Sequence, residues 1–264
     1  MSNLVKPLLV EFTGVTGSGK TTLVSAVKRH LAADGIVAFD AFDAILSIYG
    51  LRALKQPRLR QFIVELSAII PFLFYILTGE GAALFSQAYR VISKTADSWW
   101  VALNLFWNIN VRMGIYAMLR HLQRHTSSCR FLISDEGLLQ LAHVMFVHIK
   151  AEPDLNEVVR FAEIVPKPDA LIWVKVETEE VIFRTLQRGH RRAKNKSSTV
   201  EPFIKHAEAV YEALFSSATV RGLPLIIENS SPGKLKDNSS SLESRAEKIV
   251  QYLQQKYTTR VAHG

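Results

Sequence analysis

The sequence contains very little cysteine: Cys129 is the only one among 264 residues. A single thiol excludes a disulfide framework within the chain and a cysteine-based zinc site, and it fits a reducing compartment. Long hydrophobic runs are also absent, because none reaches the roughly 18 residues that a membrane-spanning helix needs. The nearest one, residues 66–77, contains Pro71, and the apolar run at residues 8–10 is too short for a signal peptide. These absences favour a cytoplasmic protein.

Acidic side chains are fewer than basic ones, with 24 Asp and Glu against 32 Lys and Arg, which gives a formal net charge of +8. Apolar residues make up 48% of the chain and charged residues 21%, so disordered and fibrous classes are excluded. The charge favours an anionic partner, and nucleotides, phosphosugars, lipid headgroups and nucleic acid all remain open.

Short apolar segments bounded by turn residues predict five β-strands, at residues 8–13, 36–40, 130–134, 170–176 and 224–228. The first two enclose a predicted helix over residues 21–33, and such a strand–helix–strand unit implies a parallel sheet. Further helices are predicted from residue 178 to 188, from 198 to 214 and from 242 to 257, with Thr178, Ser198 and Ser240 as capping residues. The fold class is therefore α/β, as one domain over residues 1–264.

Residues 44–127 have no convincing strand pattern, and they predict a helical insertion between the second and third strands. Its helices are expected at about 57–77, with a kink at Pro71, at 80–94 and at 98–124. Apolar side chains nearly surround the last helix, which predicts that it is buried. Residues 62–77 are rich in aromatic residues and follow several basic ones. Packing against the last helix is the favoured interpretation for them, and contact with a membrane surface is the alternative.

A glycine-rich loop follows the first strand and fits the pattern G-x-x-x-x-G-K-[ST] in full, from Gly14 to Thr21. Such a loop directs its backbone N–H groups at phosphate, and the next helix adds its positive N-terminus. Lysine in this pattern reaches the β- and γ-phosphates, and the Thr21 hydroxyl binds Mg²⁺. The residues predicted to bind the nucleotide here are Gly14, Thr16, Gly17, Ser18, Gly19, Lys20, Thr21 and Thr22. Asp135, at the end of the third strand, is predicted to support the metal.

Basic residues are concentrated between positions 184 and 196, where four arginines and two lysines occur without an acidic residue. Gly189 interrupts the predicted helix that carries Arg184 and Arg188, and Arg184 is also predicted to bind the nucleotide. This segment, extended to residues 184–199, predicts a mobile lid that closes over phosphates and stabilises the transferring phosphoryl group. A solvated or nucleic-acid-binding loop is the alternative.

These features resemble the thymidylate kinase-like branch of the nucleoside and nucleotide kinases. The resemblance rests on the phosphate loop, Asp135, Lys167-Pro168-Asp169 before the fourth strand, and the run of arginines from 184 to 192. It implies a three-layer P-loop fold with a five-stranded parallel sheet, ATP and Mg²⁺ as co-substrates, and phosphoryl transfer to a small acceptor. It also implies that Lys20 and Thr21 form the phosphate-loop pair, that Arg188 and Arg192 are lid arginines, and that residues 229–233 lie near the adenine.

Two departures concern the acceptor. Members of this family usually have arginine after the strand-end acid, where this sequence has Glu136, and an Arg-Glu-Pro motif after the second strand, where it has residues 40–43. Both missing arginines recognise the acceptor or its phosphate, so a hydroxyl acceptor without a phosphate at that point is favoured over thymidylate. A hydroxyl acceptor needs a base, for which Asp40 is the first candidate, with Asp43 and Glu136 as rivals.

The polar stripe Asn104, Asn108 and Arg112 on the long helix is interpreted either as a solvent-facing stripe or as a wall of the acceptor site. The sequence thus predicts an ATP-dependent phosphotransferase that acts on a nucleoside, nucleotide, sugar or related metabolite. An ATP-binding accessory protein at a membrane and a kinase of nucleic-acid ends are the alternatives, and nucleic acid is not favoured. The oligomeric state is left open, with a homodimer among the possibilities.

Overall fold

The structure is a computed structural model, and it describes residues 6–96, 98–149, 151–189, 196–229 and 238–263. Five strands lie at or near the predicted positions, and they are β1 (Leu8–Thr13), β2 (Ala38–Asp40), β3 (Phe131–Ser134), β4 (Ala170–Lys175) and β5 (Pro224–Glu228). They form one parallel sheet in the order β2-β3-β1-β4-β5. The predicted five-stranded parallel sheet is therefore confirmed.

Alternation of side chains along β1 divides the core into two layers, one on each face of the sheet. Leu8, Val10 and Phe12 belong to one hydrophobic cluster, which includes residues of the first and last helices. Leu9 belongs to the other cluster, which contains most of the remaining buried side chains. Because successive side chains of a strand point to opposite faces, the same alternation places Glu11 and Thr13 on the Leu9 side. Helices thus cover both faces, which gives a three-layer α/β/α architecture.

Ten helices are present in the described part of the chain. They are α1 (Lys20–Ala33), α2 (Ala41–Ile48), α3 (Pro57–Tyr75), α4 (Gly79–Thr95), α5 (Trp99–His125), α6 (Leu141–Phe146), α7 (Leu155–Ile164), α8 (Thr178–Arg188), α9 (Ser197–Ser216) and α10 (Asn238–His263). Four of them, α2 to α5, lie between β2 and β3. The predicted helical insertion therefore begins at Ala41 and not at residue 44.

Several predicted helix ends differ from the structure. The sequence did not predict α2, which begins because the Asp40 carboxylate accepts the backbone N–H of Asp43. Helix α3 continues through Pro71. The predicted caps Thr178, Ser198 and Ser240 lie inside α8, α9 and α10. Thr178 instead donates from its hydroxyl to Glu208 at 2.5 Å.

Helices α3 and α5 pack against each other, as the sequence predicted for residues 62–77. The close contact is made where Gly114 of α5 meets the backbone of Ala68 in α3. The prediction that α5 is buried is wrong for its first half, because Trp99, Trp100 and Trp107 are 62%, 67% and 45% exposed. Among the described helices, none is long and apolar enough to cross a membrane alone, although α3 and α4, bent by 110°, pass that test as a pair.

Candidate active site

The candidate site lies at the edge of the sheet where β1, β2 and β3 end. The phosphate loop follows β1, Asp135 follows β3, and Asp40 is the last residue of β2. Carboxyl ends of parallel strands meet at one edge, and ligands of doubly wound sheets bind there. The fold thus brings Asp135 to the phosphate loop and Asp40, although it lies 95 positions after Asp40 in the sequence.

The phosphate loop has the backbone that its glycines allow. Gly14, Gly17 and Gly19 have φ angles of 147°, 89° and 88°. Gly19 leaves no room for a side chain, since a Cβ there would lie 2.6 Å from Nδ2 of Asn229. Ser18 is buried, and its hydroxyl has no hydrogen-bond partner among the described residues. A curled backbone with a buried hydroxyl in the loop fits phosphate binding.

Lys20 is the first residue of α1, and its Nζ donates to the carbonyls of Gly14 at 2.7 Å and Val15 at 3.1 Å. Burial lowers the pKa of Lys20 to about 8, against the opposing charges of Glu136 and Asp135. The ammonium group is therefore poorly solvated and lies close to two strand-end acids. Such a cation gains most from an anionic ligand, because a phosphate would replace the lost solvation.

The predicted metal-supporting residue, Asp135, is half-buried directly after β3. Burial and then the charge of Glu136 raise its pKa, while the charge of Lys20 lowers it. Asp40 also raises the pKa of Asp135, so these acids share one electrostatic environment. A carboxylate in such surroundings is stabilised by a cation, and this favours the predicted role of Asp135.

Arg112 reaches the same place from α5. Its Nη2 lies 2.5 Å from Oε2 of Glu136 and its Nη1 donates to the Glu136 carbonyl at 3.1 Å. The Arg112 side chain is only 15% exposed, whereas that of Glu136 is 62% exposed. The charge of Arg112 also lowers the pKa of Lys20, so the two cations are close. The structure therefore brings a guanidinium to the loop after Asp135, where the sequence itself has no arginine.

Asn104 and Asn108 lie on α5 before Arg112, but they bond to each other. Asn108 Nδ2 donates to the Asn104 carbonyl at 2.7 Å and to its side-chain oxygen at 3.1 Å. Asn104 is exposed and Asn108 is half-buried. Of the three residues predicted to bind the acceptor, the described contacts bring only Arg112 to the candidate site, at Glu136.

Asp40 and Asp43 are held by structural contacts. Besides capping α2, Asp40 pairs through Oδ2 with Nζ of Lys28 at 2.5 Å. Asp43 pairs with Arg60 at 2.6 Å. Burial raises the pKa of Asp43, but the hydrogen bond from Arg60 and the charge of Lys28 outweigh this and hold it below its usual value. Both carboxylates therefore have cationic partners, and the lowered pKa keeps Asp43 ionised at neutral pH.

The sequence reasoning missed a buried support beneath the site. Glu11 of β1 is 4% exposed and accepts the backbone N–H of Gln140 at 3.1 Å. The Gln140 side chain in turn accepts the Thr13 hydroxyl at 3.1 Å and the backbone N–H of Gly14 at 3.4 Å. These bonds tie the segment after Asp135 to the start of the phosphate loop. The sequence did contain a signal for this support, because Glu11 is an acidic residue inside an apolar strand.

A second unpredicted group fixes the other side of the loop. Asn229, directly after β5, donates from Nδ2 to the Ser18 carbonyl at 2.7 Å and accepts from Arg245 of α10. Arg184 of α8 contacts the carbonyls of Gly17 and Asn229, each at 3.5 Å, and bonds to Glu180. The predicted nucleotide-binding residue Arg184 thus lies directly on the phosphate loop.

The other predicted residues have less defined surroundings. Thr16 is half-buried, and its hydroxyl lies 3.3 Å from Nε2 of His143. Thr21 and Thr22 are exposed at the start of α1. Arg188 is exposed in the last turn of α8, directly before Gly189. Arg192 and the rest of residues 190–195 lie outside the described residues.

The oxygen atoms that this site offers as metal ligands fit Mg²⁺ bound together with a nucleotide. Within the described ranges, no group of three or more His, Cys, Asp and Glu side chains is arranged to hold a metal by itself. Thr21 and Asp135 offer oxygen ligands, and Mg²⁺ typically takes one or two protein ligands, with phosphate oxygens and water completing the shell.

Comparisons with known proteins agree with this fold. No protein-family model matches the chain, and no curated protein sequence matches it. A solved thymidylate kinase from Candida albicans is similar, with a TM-score of 0.51 and 12% identity over 96% of this chain and 94% of that one. A deoxyadenosine kinase from M. mycoides aligns with 94% of this chain and 100% of its own, at 16% identity and a TM-score of 0.45.

A shikimate kinase from Bacteroides thetaiotaomicron aligns with 94% of this chain and 98% of its own, at 12% identity and a TM-score of 0.41. At 12% identity, the likeness to the Candida albicans enzyme shows the fold alone. The resemblance to thymidylate kinase-like proteins is thereby confirmed at the level of the fold, which is the three-layer P-loop fold.

Proposed function

We propose that the protein is an ATP-dependent phosphotransferase that moves the γ-phosphoryl group of ATP to a hydroxyl group of a small acceptor. The observation that carries this proposal is the position of Lys20, which lies in a complete phosphate loop and close to two strand-end acids. A cation in the loop binds phosphate oxygens, and an acid beside them serves metal binding or proton transfer.

The loop residues from Gly14 to Thr22 bind the phosphates through their backbone N–H groups, and Lys20 bridges the β- and γ-phosphates. Thr21 and Asp135 would hold Mg²⁺, which would supply positive charge to the phosphate oxygens. Arg184, already on the loop, contributes charge to the phosphates from the α8 side. Arg188 and Arg192 belong to the lid over residues 184–199, which adds further positive charge and excludes water.

Glu136 is proposed as the base, because its carboxylate is exposed and Arg112 holds it from one side. The acceptor oxygen attacks the γ-phosphorus, the bond to the β-phosphate oxygen breaks, and the acceptor proton goes to Glu136 while ADP leaves. Asp40 has a positioning role, since Lys28 and the N-terminus of α2 occupy its oxygens. Arg112 faces the acceptor, which is a nucleoside, nucleotide, sugar or related metabolite.

The test is a phosphoryl-transfer assay with labelled ATP and a panel of such acceptors. Lys20→Ala is expected to lower kcat/KM by about 10³-fold or more, because the charge on the phosphates is lost. Lys205→Ala is the matched control: this exposed lysine of α9 pairs with Glu201 far from the loop, so its activity should equal wild type. Transfer to some acceptor at an unchanged rate in Lys20→Ala would refute the proposal.

Two further variants test whether Glu136 or Asp40 is the general base. Glu136→Gln is expected to lower kcat by about 10²-fold or more with little effect on the KM for ATP, as loss of a general base does. Asp40→Asn keeps the cap on α2 through its remaining oxygen, so a smaller loss is expected. The reverse order of the two losses would assign the base to Asp40.

A further inference from the structure

The proposal concerns an exposed apolar face on α3 and α5, on the opposite side of α3 from its buried residues. On α3, Val64, Ala68, Phe72 and Tyr75 are buried. Exposed apolar residues recur along the same helix, mostly every three or four positions. They are Leu59, Phe62, Leu66, Ile70, Leu73 and Phe74, with Leu77 just beyond the helix end at Tyr75. Phe62, Ile70 and Phe74 are between 62% and 69% exposed. Such a stripe along a whole helix indicates a second contact surface.

Helix α5 extends this face. Trp100, Leu103 and Trp107 follow one another at three- and four-residue spacing, and each is at least 45% exposed. The indole Nε1 of Trp107 lies 3.4 Å from Oε2 of Glu65 on α3, so this part of α5 contacts α3 next to the exposed Leu66. We call these residues of α3, together with Trp99, Trp100, Leu103 and Trp107 of α5, the α3–α5 face.

Tryptophan is concentrated on this face. The chain has four tryptophans, and three of them, Trp99, Trp100 and Trp107, are exposed here, while Trp173 is 6% exposed in the core. Trp99 and Trp100 stack on each other with their ring centroids 3.8 Å apart. Tryptophan combines a large apolar ring with an N–H donor, and it is enriched where hydrocarbon meets the polar headgroups of a bilayer.

The charges around the face have one prevailing sign. Residues 52–96 carry six basic side chains, Arg52, Lys55, Arg58, Arg60, Arg90 and Lys94, against two acidic ones, Glu65 and Glu80. Arg60 and Arg90 pair with Asp43 and Glu157, so the rim consists of Lys55, Arg58 and Lys94. Lys55 and Arg58 are exposed where α3 begins, and Lys94 is exposed in the last turn of α4. Glu65 is half-buried and bonds to Gln61 at 2.7 Å and to Trp107. An apolar face with a cationic rim complements an anionic lipid surface.

We propose that the α3–α5 face docks on the surface of a membrane that contains anionic lipid. The aliphatic and aromatic side chains enter the boundary between headgroups and acyl chains, and Lys55, Arg58 and Lys94 contact lipid phosphates. A second copy of this chain would also cover an apolar face, but it would present the same cationic rim and so lacks the complementary charge. Arg112 follows Trp107 by five residues, about 7.5 Å along α5, so the docked face lies beside the candidate active site.

The test uses the full chain and sucrose-loaded vesicles of phosphatidylcholine, with or without about one third phosphatidylserine. The protein is expected to co-sediment with the anionic vesicles. Its binding to the neutral vesicles is expected to be weaker by about tenfold or more. Phe62→Ser/Ile70→Ser is expected to lose binding to both. Phe183→Ser, which removes a 60% exposed phenylalanine of α8, is the matched control and should bind as wild type does.

Tryptophan emission gives a second measurement, because three of the four indoles lie on the face. Anionic vesicles are expected to shift the emission to shorter wavelength and to protect it from acrylamide, and lipids brominated on the acyl chain should quench it. Circular dichroism of each variant checks that it is folded. Substitutions at exposed positions usually change stability little, so folded variants are expected. Kinase activity plays no part in either readout, so this test and that of the phosphotransferase proposal can fail separately.

Two outcomes would overturn the docking proposal. One is the absence of vesicle binding by folded wild type. The other is a concentration-dependent dimer in sedimentation equilibrium that Phe62→Ser/Ile70→Ser abolishes while vesicles have no effect, and this would assign the face to a second copy of the chain. Loss of the preference for anionic vesicles in Lys55→Glu/Arg58→Glu, with binding to neutral vesicles kept, would support the role given to the rim.

Discussion

Glu11 illustrates how one residue acquires its properties from tertiary contacts. Desolvation by burial raises its pKa to about 8, against its backbone hydrogen bonds to Gln140, Leu139 and Leu138 and the charge of Arg112. Gly137 passes so close that a Cβ there would lie 2.3 Å from the Glu11 carboxyl group. An acid beneath the segment after Asp135 thus holds that segment in place, and its own ionisation is unfavourable near neutral pH.

Glu11→Gln is therefore expected to change how stability depends on pH. In wild type the folded protein keeps the Glu11 proton up to about pH 8, while in the unfolded chain this group ionises near its usual value of 4.5. The folded state binds more protons in this range, so the free energy of unfolding falls as pH rises from about 4.5 to about 8. At about 1.4 kcal/mol per pKa unit, the contribution is at most about 5 kcal/mol.

Urea unfolding at pH 5, 6, 7 and 8 measures this dependence. Glu11→Gln should flatten the curve and be relatively more stable at pH 8, since the amide oxygen can still accept from the Gln140 backbone. Glu247→Gln, at a position on α10 whose amino acid is exposed, provides a control for the loss of one carboxyl group. Parallel pH curves for wild type and Glu11→Gln would contradict the prediction.

Helix α5 has two roles along its length. Its second half is in the core, where Ile109, Met113 and Leu119 are buried, and it delivers Arg112 to the site. Its first half presents tryptophans on the α3–α5 face. The position of Arg112 depends on how closely α5 packs on α3, and that approach is set where Gly114 meets Ala68.

Gly114→Ala tests this helix contact. A Cβ at residue 114 would lie 2.0 Å from the Ala68 carbonyl oxygen, so the helices must separate. Overpacking of this kind is expected to cost about 2–3 kcal/mol of unfolding free energy. Gly79→Ala is the matched control: this first residue of α4 has no neighbour within 4 Å of a Cβ, and alanine favours helix. Denaturant unfolding followed by circular dichroism measures the unfolding free energy of both variants. Equal stability of the two variants would contradict the close contact between Gly114 and Ala68.

At the scale of the whole molecule, two segments are rich in basic side chains. Residues 184–196 contain six basic side chains and no acidic one. Residues 52–96, which include α3, contain six basic side chains against two acidic ones. The first is proposed to serve nucleotide phosphates and the second lipid phosphates, so one composition supports two kinds of anionic partner.

Nucleotide binding should stabilise the whole fold, because the loop, β5, α8 and α10 meet at Asn229 and Arg184. With Mg-ATP at 100 times its Kd, mass action adds about 2.7 kcal/mol to the unfolding free energy. For a chain of this size, Tm is expected to rise by about 5–10 °C. Differential scanning fluorimetry measures it, and AMP, which lacks the β- and γ-phosphates, should produce a much smaller shift.

Lys20→Ala separates this effect from general stabilisation by salt or anions. Its Tm without nucleotide should be similar to or above that of wild type, since a half-buried, poorly solvated cation is removed. Its shift with Mg-ATP should nearly vanish, and Lys205→Ala should keep the full shift. A full shift in Lys20→Ala would mean that ATP binds elsewhere.

The amino-acid sequence by itself determined the strands, most of the helices and the phosphate loop, because these depend on local patterns. Apolar runs bounded by turn residues predicted β1, β3 and β4, and the glycine spacing from 14 to 19 predicted a loop whose positive φ angles the structure contains. Lys20 and Asp135 were likewise predicted as site residues from local patterns, since Lys20 completes the phosphate-loop motif and Asp135 directly follows β3.

Only the tertiary structure decided which distant residues share the site and which apolar residues are exposed. Arg112 meets Glu136 across 24 positions, Asn229 meets Ser18 across 211, and Glu11 meets Gln140 across 129. No local pattern carries such pairings, because they follow from the sheet order and the packing of helices on both of its faces. Periodicity marked α5 as apolar nearly all round, but burial depends on what packs against each side, and only one side of its first half is covered.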